Sequence, residues 1–249
     1  MLRGMYVSAS GMNTQIRKQE VISNNLANVD TPGFKKESLV VDSFSRIMVS
    51  RMNDCQDQGA APVIGNISAG SNPLGTVTDF SEGKLVETGR PLDFALQGKG
   101  FFQVQTPQGL RYTRQGSFVV SGQGQLVTTE GYPVMGENGP IELGLDAYIG
   151  TGGEVVEEGT IVNRMTLVNC APQDLVKEGE SLYALNEGAQ IFPGENLSLT
   201  QGFLESSNVN PVAEMVDMIS GMRAYEANQK ALISQDSTLG SLISKGLQF

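Results

Sequence analysis

One feature constrains the fold of this chain more than any other: apolar residues recur at heptad spacing at both of its ends and nowhere between. Near the start, Leu2, Met5, Ala9, Met12, Ile16, Gln19, Ser23 and Leu26 follow one another at alternating steps of three and four. That spacing lines one face of a helix, with two polar interruptions late in the run. The run predicts a helix from Leu2 to Val29, about 42 Å long at 1.5 Å per residue, stopped by Asp30-Thr31-Pro32-Gly33. At the far end Asn210 is a good N-cap, Pro211 suits the first helical position, and Glu214 sits near the positive helix end. Met215, Met218, Met222, Tyr225, Gln229, Leu232, Asp236, Leu239 and Ile243 then carry the second stripe. Both stripes are narrow, and the outer faces are rich in Ser, Asn, Gln and Thr rather than Lys and Glu. Such faces suit surfaces that other subunits bury, although packing on the middle of the chain or on each other is the plainer alternative. Alone, helices of this kind are marginal in water.

Between the ends the periodicity drops to two. From about Thr76 to Leu204, short β-prone runs alternate with turn signals. Phe101–Gln105 and Leu110–Thr113 flank Pro107-Gln108-Gly109 as a hairpin, and Ser117–Val120 and Gln125–Thr128 flank Ser121-Gly122-Gln123-Gly124 as another. Further runs lie at 132–135, 141–143, 160–162, 165–168 and 181–185. The pattern predicts an all-β domain. The fold class expected is therefore α+β, with terminal helices around an all-β middle. The domain order expected is an N-terminal helix and turn over 1–36, an extended linker over 37–75, the β domain over 76–205, and a C-terminal helix over 206–249. Within the linker, Asp54 to Asn72 is rich in Gly, Pro, Asn and Ser and reads as an extended or mobile connection.

Composition excludes several chemistries. The 249 residues contain no histidine, which removes His-based dyads, imidazole general bases and His-ligated metals. Cys55 and Cys170 are too few for a zinc site or a disulfide framework. The net charge is −10, and no basic stripe for nucleic acid is present. Residues 1–36 are nonetheless basic, with Arg3, Arg17, Lys18, Lys35 and Lys36 against Glu20 and Asp30. Gly98-Lys99-Gly100 and Thr151-Gly152-Gly153 are glycine turns without a following helix to cradle a phosphate. Glu154, Glu157 and Glu158 read as an acidic loop rather than a catalytic pair or a calcium site. Asn66-Ile67-Ser68 and Asn196-Leu197-Ser198 match the glycosylation sequon, a short pattern. The expectation is no catalytic residue, no cofactor and no metal. No stretch of 18 apolar residues would span a membrane, and no signal-peptide core follows Met1.

Longer motifs are more specific. Asn24-Asn25-Leu26-Ala27-Asn28-Val29-Asp30-Thr31-Pro32-Gly33-Phe34-Lys35 closely resembles the signature of the bacterial flagellar rod and hook axial proteins. Gly202-Phe203-Leu204-Glu205-Ser206-Ser207-Asn208-Val209-Asn210 is similar to the family's lead into its C-terminal helix. Gly89–Gly98 with Gly100-Phe101-Phe102, continued by Tyr112–Phe118, looks like the opening of its middle domain. Within the family, Val134–Ile141 and Asn210-Pro211 are most like proximal rod members, and Tyr225-Glu226-Ala227-Asn228-Gln229 is as much like distal ones.

The resemblance implies a non-enzymatic structural subunit of the flagellar rod, self-assembling with paralogous rod proteins into a hollow axial drive shaft. It implies that the terminal helices pair as a coiled coil, with Leu2, Met5, Ala9, Met12, Ile16, Leu26, Met215, Met218, Met222, Tyr225, Leu232 and Leu239 as the assembly seam. Asn25, Ala27, Asn28, Thr31, Pro32, Gly33 and Phe34 form the family motif, with Pro32 and Gly33 fixing the exit angle of the chain and Phe34 anchoring the turn. The partners implied are copies of itself, other rod and hook–basal-body subunits, and the flagellar export apparatus in transit. No nucleic acid and no membrane span belong to this picture. The location implied is the basal body in the cell envelope, reached without a cleaved signal peptide. Readings from other classes are a secreted β-domain adhesin and a wall-lytic enzyme. The second lacks room for a hydrolase domain and any histidine.

Overall fold

The computed structural model describes residues 2–43, 46–50, 63–68, 70–144, 147–150, 152–179, 181–186, 188–193 and 197–246. Cys55, Thr151 and Asn196 lie outside the described residues, as does all of 51–62. The chain forms two compact units. One comprises Met1–Leu26, Glu37–Val77 and Pro211–Phe249; the other comprises Ala27–Lys36 and Thr78–Asn210.

The first unit holds both long helices. Helix α1 runs from Leu2 to Ala27 and α2 from Pro211 to Gly246. Pro211 opens α2 where its missing N–H costs nothing, as the sequence predicts. The first helix stops short of Val29 because the chain turns at Asn28, whose carbonyl accepts from the Thr31 N–H at 3.2 Å. The two helices lie side by side and antiparallel. A Cβ on Gly4 would come within 2.6 Å of Gln235 Oε1, one on Gly11 would meet Asn228 Nδ2 at 3.0 Å, and one on Gly221 would meet Gln15 Oε1 at 3.4 Å. At the far end of α1, Asn25 Nδ2 donates to Glu214 Oε2 at 3.3 Å. The same unit contains four strands, β1 (Glu37–Ser43), β2 (Arg46–Ser50), β3 (Val63–Ser68) and β4 (Ser71–Thr78). Strands β1 and β4 pair with each other, and β2 pairs antiparallel with β3. The stretch read from composition as an extended connection thus carries strands on both sides of residues 51–62.

The second unit is β throughout. It begins with β5 (Leu85–Glu87), β6 (Phe94–Gln97), β7 (Phe101–Thr106) and β8 (Gly109–Thr113). Next come β9 (Phe118–Val120), β10 (Leu126–Thr128), β11 (Met135–Gly136) and β12 (Gly139–Pro140). Strands β13 (Tyr148–Ile149), β14 (Glu154–Glu157), β15 (Thr160–Arg164) and β16 (Leu167–Asn169) follow. The last are β17 (Leu175–Glu178), β18 (Leu182–Leu185), β19 (Phe192–Pro193), β20 (Ser198–Gln201) and β21 (Phe203–Glu205). The predicted hairpins form, since β7 pairs antiparallel with β8 and β9 with β10. A six-stranded sheet in the order β17-β18-β8-β7-β16-β19 is the centre of the unit.

Two apolar clusters form around this sheet. Phe102 and Val104 of β7 join Phe94, Phe118, Leu126 and Ile141 in one. Phe101, next to Phe102 and therefore on the other face of its strand, joins Tyr112, Val168, Cys170 and Tyr183 in the second. The Phe102 and Phe118 rings meet edge to face at 5.2 Å, and Phe80 covers Phe101 at 5.6 Å and Tyr183 at 5.3 Å. Each fully buried phenylalanine contributes about 2–3 kcal/mol of transfer free energy, so these clusters carry most of the unit's cohesion. The β unit also closes on both of its chain ends, because β21 pairs with β5 and β20 with β6.

Candidate functional site

The family-type turn is built into the β unit rather than standing free as a hinge. Thr31 and Phe34 close it: the Phe34 N–H donates to the Thr31 carbonyl at 3.3 Å, and Thr31 Oγ1 lies 3.2 Å from Asn28 Oδ1. Gly33 takes φ 71°, the left-handed region that favours glycine. Its N–H donates to the Glu205 carbonyl at 2.7 Å, and a Cβ there would stand 2.5 Å from the Arg114 carbonyl carbon and the Gln115 nitrogen. Only glycine lets this turn approach the backbone of 114–115 so closely. Phe34 is wholly buried, with Lys177 Nζ 4.2 Å from the centre of its ring.

Beside Phe34, Lys35 is also fully buried. Its Nζ donates to Glu205 Oε1 at 2.5 Å and to the Ser81 carbonyl at 2.7 Å. Glu205 also accepts from the Gly83 N–H at 2.9 Å, and its other oxygen lies 3.7 Å from Arg114 Nη1. Arg114 donates to the carbonyls of Leu96 at 3.3 Å and Gly98 at 2.5 Å, and its guanidinium carbon lies 5.5 Å from the Phe101 ring centre. Burial pushes the Lys35 ammonium below its ordinary pKa, and Glu205 opposes that shift. Burial likewise lowers Arg114, again against Glu205. The Lys36 N–H donates to Asn208 Oδ1 at 2.7 Å, and Asn208 Nδ2 donates to the Asp79 carbonyl at 2.8 Å. The site is thus a socket of hydrogen bonds and charges around one segment. Its chemistry is positioning.

In the helical unit Asn25 does comparable work. It is almost wholly buried, its Nδ2 donates to the Glu37 carbonyl at 2.8 Å, and its Oδ1 accepts from the Glu37 N–H at 3.0 Å. One amide thereby pairs with the backbone of β1 as a neighbouring strand would, while also reaching Glu214. Of the other motif residues, Asn28 is buried, Thr31 and Pro32 are half-buried, and Ala27 is exposed.

The stripe chosen by hydrophobicity and the face the helices share differ by one position on α1. Gly4, Ser8, Gly11, Gln15, Lys18, Ile22 and Asn25 form the covered face, whereas Ala9 and Ile16 are exposed and Met5, Met12 and Leu26 half-buried. Leu2 begins the helix. On α2, Met218, Tyr225, Leu232 and Leu239 are half-buried, but Met215 and Met222 are about half exposed. The sequence reading quoted Lys35, Arg114 and Glu205 within motifs and gave them no role. Their signal is slight: a lysine beside a buried aromatic, and a glutamate ending the apolar run Phe203-Leu204.

No three His, Cys, Asp or Glu residues gather as a metal site among the described residues. Glu154 pairs instead with Arg164 at 2.9 Å. Cys170 is buried, and burial raises its thiol pKa, as does the nearby Asp174. Among the described residues no helix is long and apolar enough to cross a membrane.

Three families match in chain order: the flagella basal body rod protein over residues 5–35, the flagellar hook protein FlgE/F/G D1 domain over 95–163, and the flagellar basal body rod FlgEFG protein C-terminal over 200–245. The flagellar basal-body rod protein FlgG of Buchnera aphidicola subsp. Schizaphis graminum is 35% identical, covering 97% of this chain and 99% of the relative. FlgG of Bacillus subtilis is 35% identical over 98% and 99%, and FlgF of Caulobacter vibrioides 35% over 93% and 93%. The chain belongs to the flagellar basal-body rod protein family. It is a structural subunit of the rod, located in the flagellar basal body, and not an enzyme. It resembles FlgG and FlgF members alike, and none of these relatives is named as an adhesin or a wall-lytic protein. In this rod protein the buried charges draw one residue from each matched segment: Lys35 from the first, Arg114 from the second and Glu205 from the third.

Proposed function

We propose that this rod subunit polymerises with copies of itself and with paralogous rod and hook–basal-body subunits into a hollow axial shaft that transmits torque. The terminal helices pair as a coiled coil and supply the contacts between subunits. Leu2, Met5, Ala9, Met12, Ile16, Leu26, Met215, Met218, Met222, Tyr225, Leu232 and Leu239 are the residues to test for that role. The flagellar export apparatus is a partner in transit, and the finished position is within the cell envelope.

The observation that carries this reading is the exposure of large apolar residues on both helices, with Ile16 at 44% and Met222 at 47%. A subunit that remained alone in water would gain by losing such surface. Purification of hook–basal bodies from cells expressing a tagged copy tests the reading. The tagged chain co-purifies with the particles, and its deletion abolishes motility. Its absence from the particles overturns the reading.

A further inference from the structure

We propose that the cavity of the β unit bounded by the Gly98-Lys99-Gly100 turn, Phe80 and the facing ends of β16 and β19 binds a small molecule made of one apolar body and one carboxylate. The polymerising role makes no use of this cavity, and the proposal does not depend on that role.

The cavity measures about 540 Å³, inside the span of about 300–1,000 Å³ that small-ligand sites occupy. Its walls are mainly aromatic. Phe80 and Phe101 stand edge to face at 5.6 Å, and Phe192 of β19, which also lines the space, is 52% exposed. Cys170 adds to this surface. Burial holds its thiol above its ordinary pKa, so at neutral pH it is a small uncharged apolar group rather than an anion. Water against such walls finds few partners, and an apolar body that displaces it gains transfer free energy.

The charged groups at the cavity are of one sign. Among the described residues Lys99 and Arg114 line it and no carboxylate does, on a chain whose net charge is −10. That arrangement selects an anion. Arg114 belongs to the wall. Its Nη atoms are committed to the Leu96 and Gly98 carbonyls, Glu205 lies 3.7 Å away, and its guanidinium carbon stands 5.5 Å from the Phe101 ring centre. Its Nε is buried without a hydrogen bond. Lys35 and Arg114 together outnumber Glu205, and the exposed Glu82 offsets part of the charge that remains.

Lys99 is the group left to meet a ligand. It is exposed, and it pairs with no carboxylate among the described residues. The turn that carries it is pinned on both sides. Gly98 takes φ 98°, its N–H donates to Glu82 Oε1 at 3.1 Å, and its carbonyl accepts from Arg114 Nη2 at 2.5 Å. A Cβ on Gly100 would collide with the Leu197 side chain. Lys99 is therefore held at the mouth by a turn that cannot easily withdraw. One uncommitted ammonium matches one negative charge. The turn leads into β7 and not into a helix, so it lacks the helix N-terminus that favours phosphate. A single carboxylate on an apolar body satisfies both the lysine and the aromatic walls.

The test uses the full chain carrying Cys55→Ser, which leaves Cys170 as the sole thiol. The probe is phenylbutyrate, with phenylbutanol as its uncharged counterpart. In calorimetric titration one phenylbutyrate binds per chain, and phenylbutanol binds about fivefold more weakly, the upper end for an exposed ion pair. Bound phenylbutyrate slows alkylation of Cys170 by N-ethylmaleimide. Adding Lys99→Ala brings the acid down to the affinity of the alcohol and leaves the alcohol unchanged. Phe192→Ala weakens both alike, and Lys230→Ala on α2 changes neither. Lys99, Phe192 and Lys230 are all exposed, and unchanged circular dichroism confirms that each variant keeps the fold. The proposal is overturned by any of four results: no saturable heat, heat without protection of Cys170, equal affinity for acid and alcohol in the Cys55→Ser chain, or a Lys99→Ala chain that still prefers the acid. None of these bears on the rod role, which co-purification with basal bodies tests separately.

Discussion

Lys35 Nζ lies 2.5 Å from Glu205 Oε1 across 170 residues of sequence, and both side chains are about 98% buried. Two charges held this deep are costly to desolvate and are tolerated because each is paired and hydrogen-bonded. Lys35→Met removes the strongest partner of Glu205 and leaves its carboxylate facing Arg114 at 3.7 Å. We expect the β unit to lose about 3–5 kcal/mol, read from the urea midpoint at unchanged slope. The double variant Lys35→Met/Glu205→Gln is expected to recover part of that loss. A single variant as stable as the wild type would show that the pair is not needed.

Gly33 and Gly89 separate two costs that usually travel together. Both have positive φ, 71° and 67°, but only at Gly33 does a Cβ collide with backbone, while at Gly89 it meets nothing within 4 Å. Gly89→Ala therefore pays only the left-handed penalty, about 1–2 kcal/mol. Gly33→Ala adds displacement of the turn from Arg114 and Gln115 and is expected to be the more destabilising of the two by thermal melting. Equal losses would mean that the turn moves away freely.

Much of this architecture was legible in local pattern. Pro211 and the heptad steps mark the helices, and Pro107-Gln108-Gly109 marks the hairpin between β7 and β8, because each signal is complete within a few residues. The strands from Glu37 to Thr78 were harder to read, since Asn, Gly and Pro within β3 and β4 mask their alternation. The shared face of the helices was hidden for a different reason. It is made of small and polar residues such as Gly4, Ser8 and Gly11, which allow close approach, while the conspicuous methionines and isoleucines lie beside it. Hydrophobicity points to what is eventually buried, not to which neighbour buries it. The pairing of Lys35 with Glu205 has no local signature at all.

Asn25 offers a sharper probe of the helical unit than any apolar residue there. Asn25→Asp keeps the shape but loses the Nδ2 donor to Glu37 and sets a second carboxylate beside Glu214, now 3.3 Å from the amide. Like charges in a buried site and a lost donor together cost about 2–3 kcal/mol. We expect an earlier helix melt by circular dichroism for Asn25→Asp at neutral pH, and a smaller loss once Glu214→Gln is added to it. An equal loss in the double variant would assign the effect to the hydrogen bonds alone.

Alkaline pH tests the interior of the β unit. Burial raises the pKa of Cys170, with Asp174 adding to the rise, and burial raises that of Tyr112, with the Cys170 sulfur adding to it. The folded state then keeps protons that the unfolded chain releases from about pH 8.5 for the thiol and about pH 10 for the phenol. Stability is present in full below those values and falls as pH rises toward the raised folded ones. Lys35, lowered by burial, acts in the opposite sense, because the unfolded chain holds its proton longer. Comparing wild type with Cys170→Ala isolates the thiol. The variant is expected to lose less stability than the wild type between about pH 8.5 and 10, by at most about 1.4 kcal/mol per pH unit. Parallel curves would show the thiol to be titrating normally.

Backbone exchange should distinguish the turn from the helix that leads into it. The Gly33 N–H is bonded to the Glu205 carbonyl at 2.7 Å, and the Lys36 carbonyl accepts from the Asp79 N–H at 2.8 Å, so residues 27–36 share the hydrogen bonding of the β unit. Amides of α1 depend instead on a helix whose flank is half uncovered and whose shared face is polar. Local openings cost least where few apolar contacts resist them. In hydrogen exchange of the free subunit we expect Gly33 and Phe34 to be protected as strongly as β7 and β8, and the amides from Val7 to Ile16 to exchange by smaller openings at higher rates. Lys35→Met should bring the exchange of Gly33 forward while leaving α1 unchanged. If the turn exchanges with α1 in the wild type, it belongs to the helix rather than to the socket, and the three-segment charge cluster does not hold it in place.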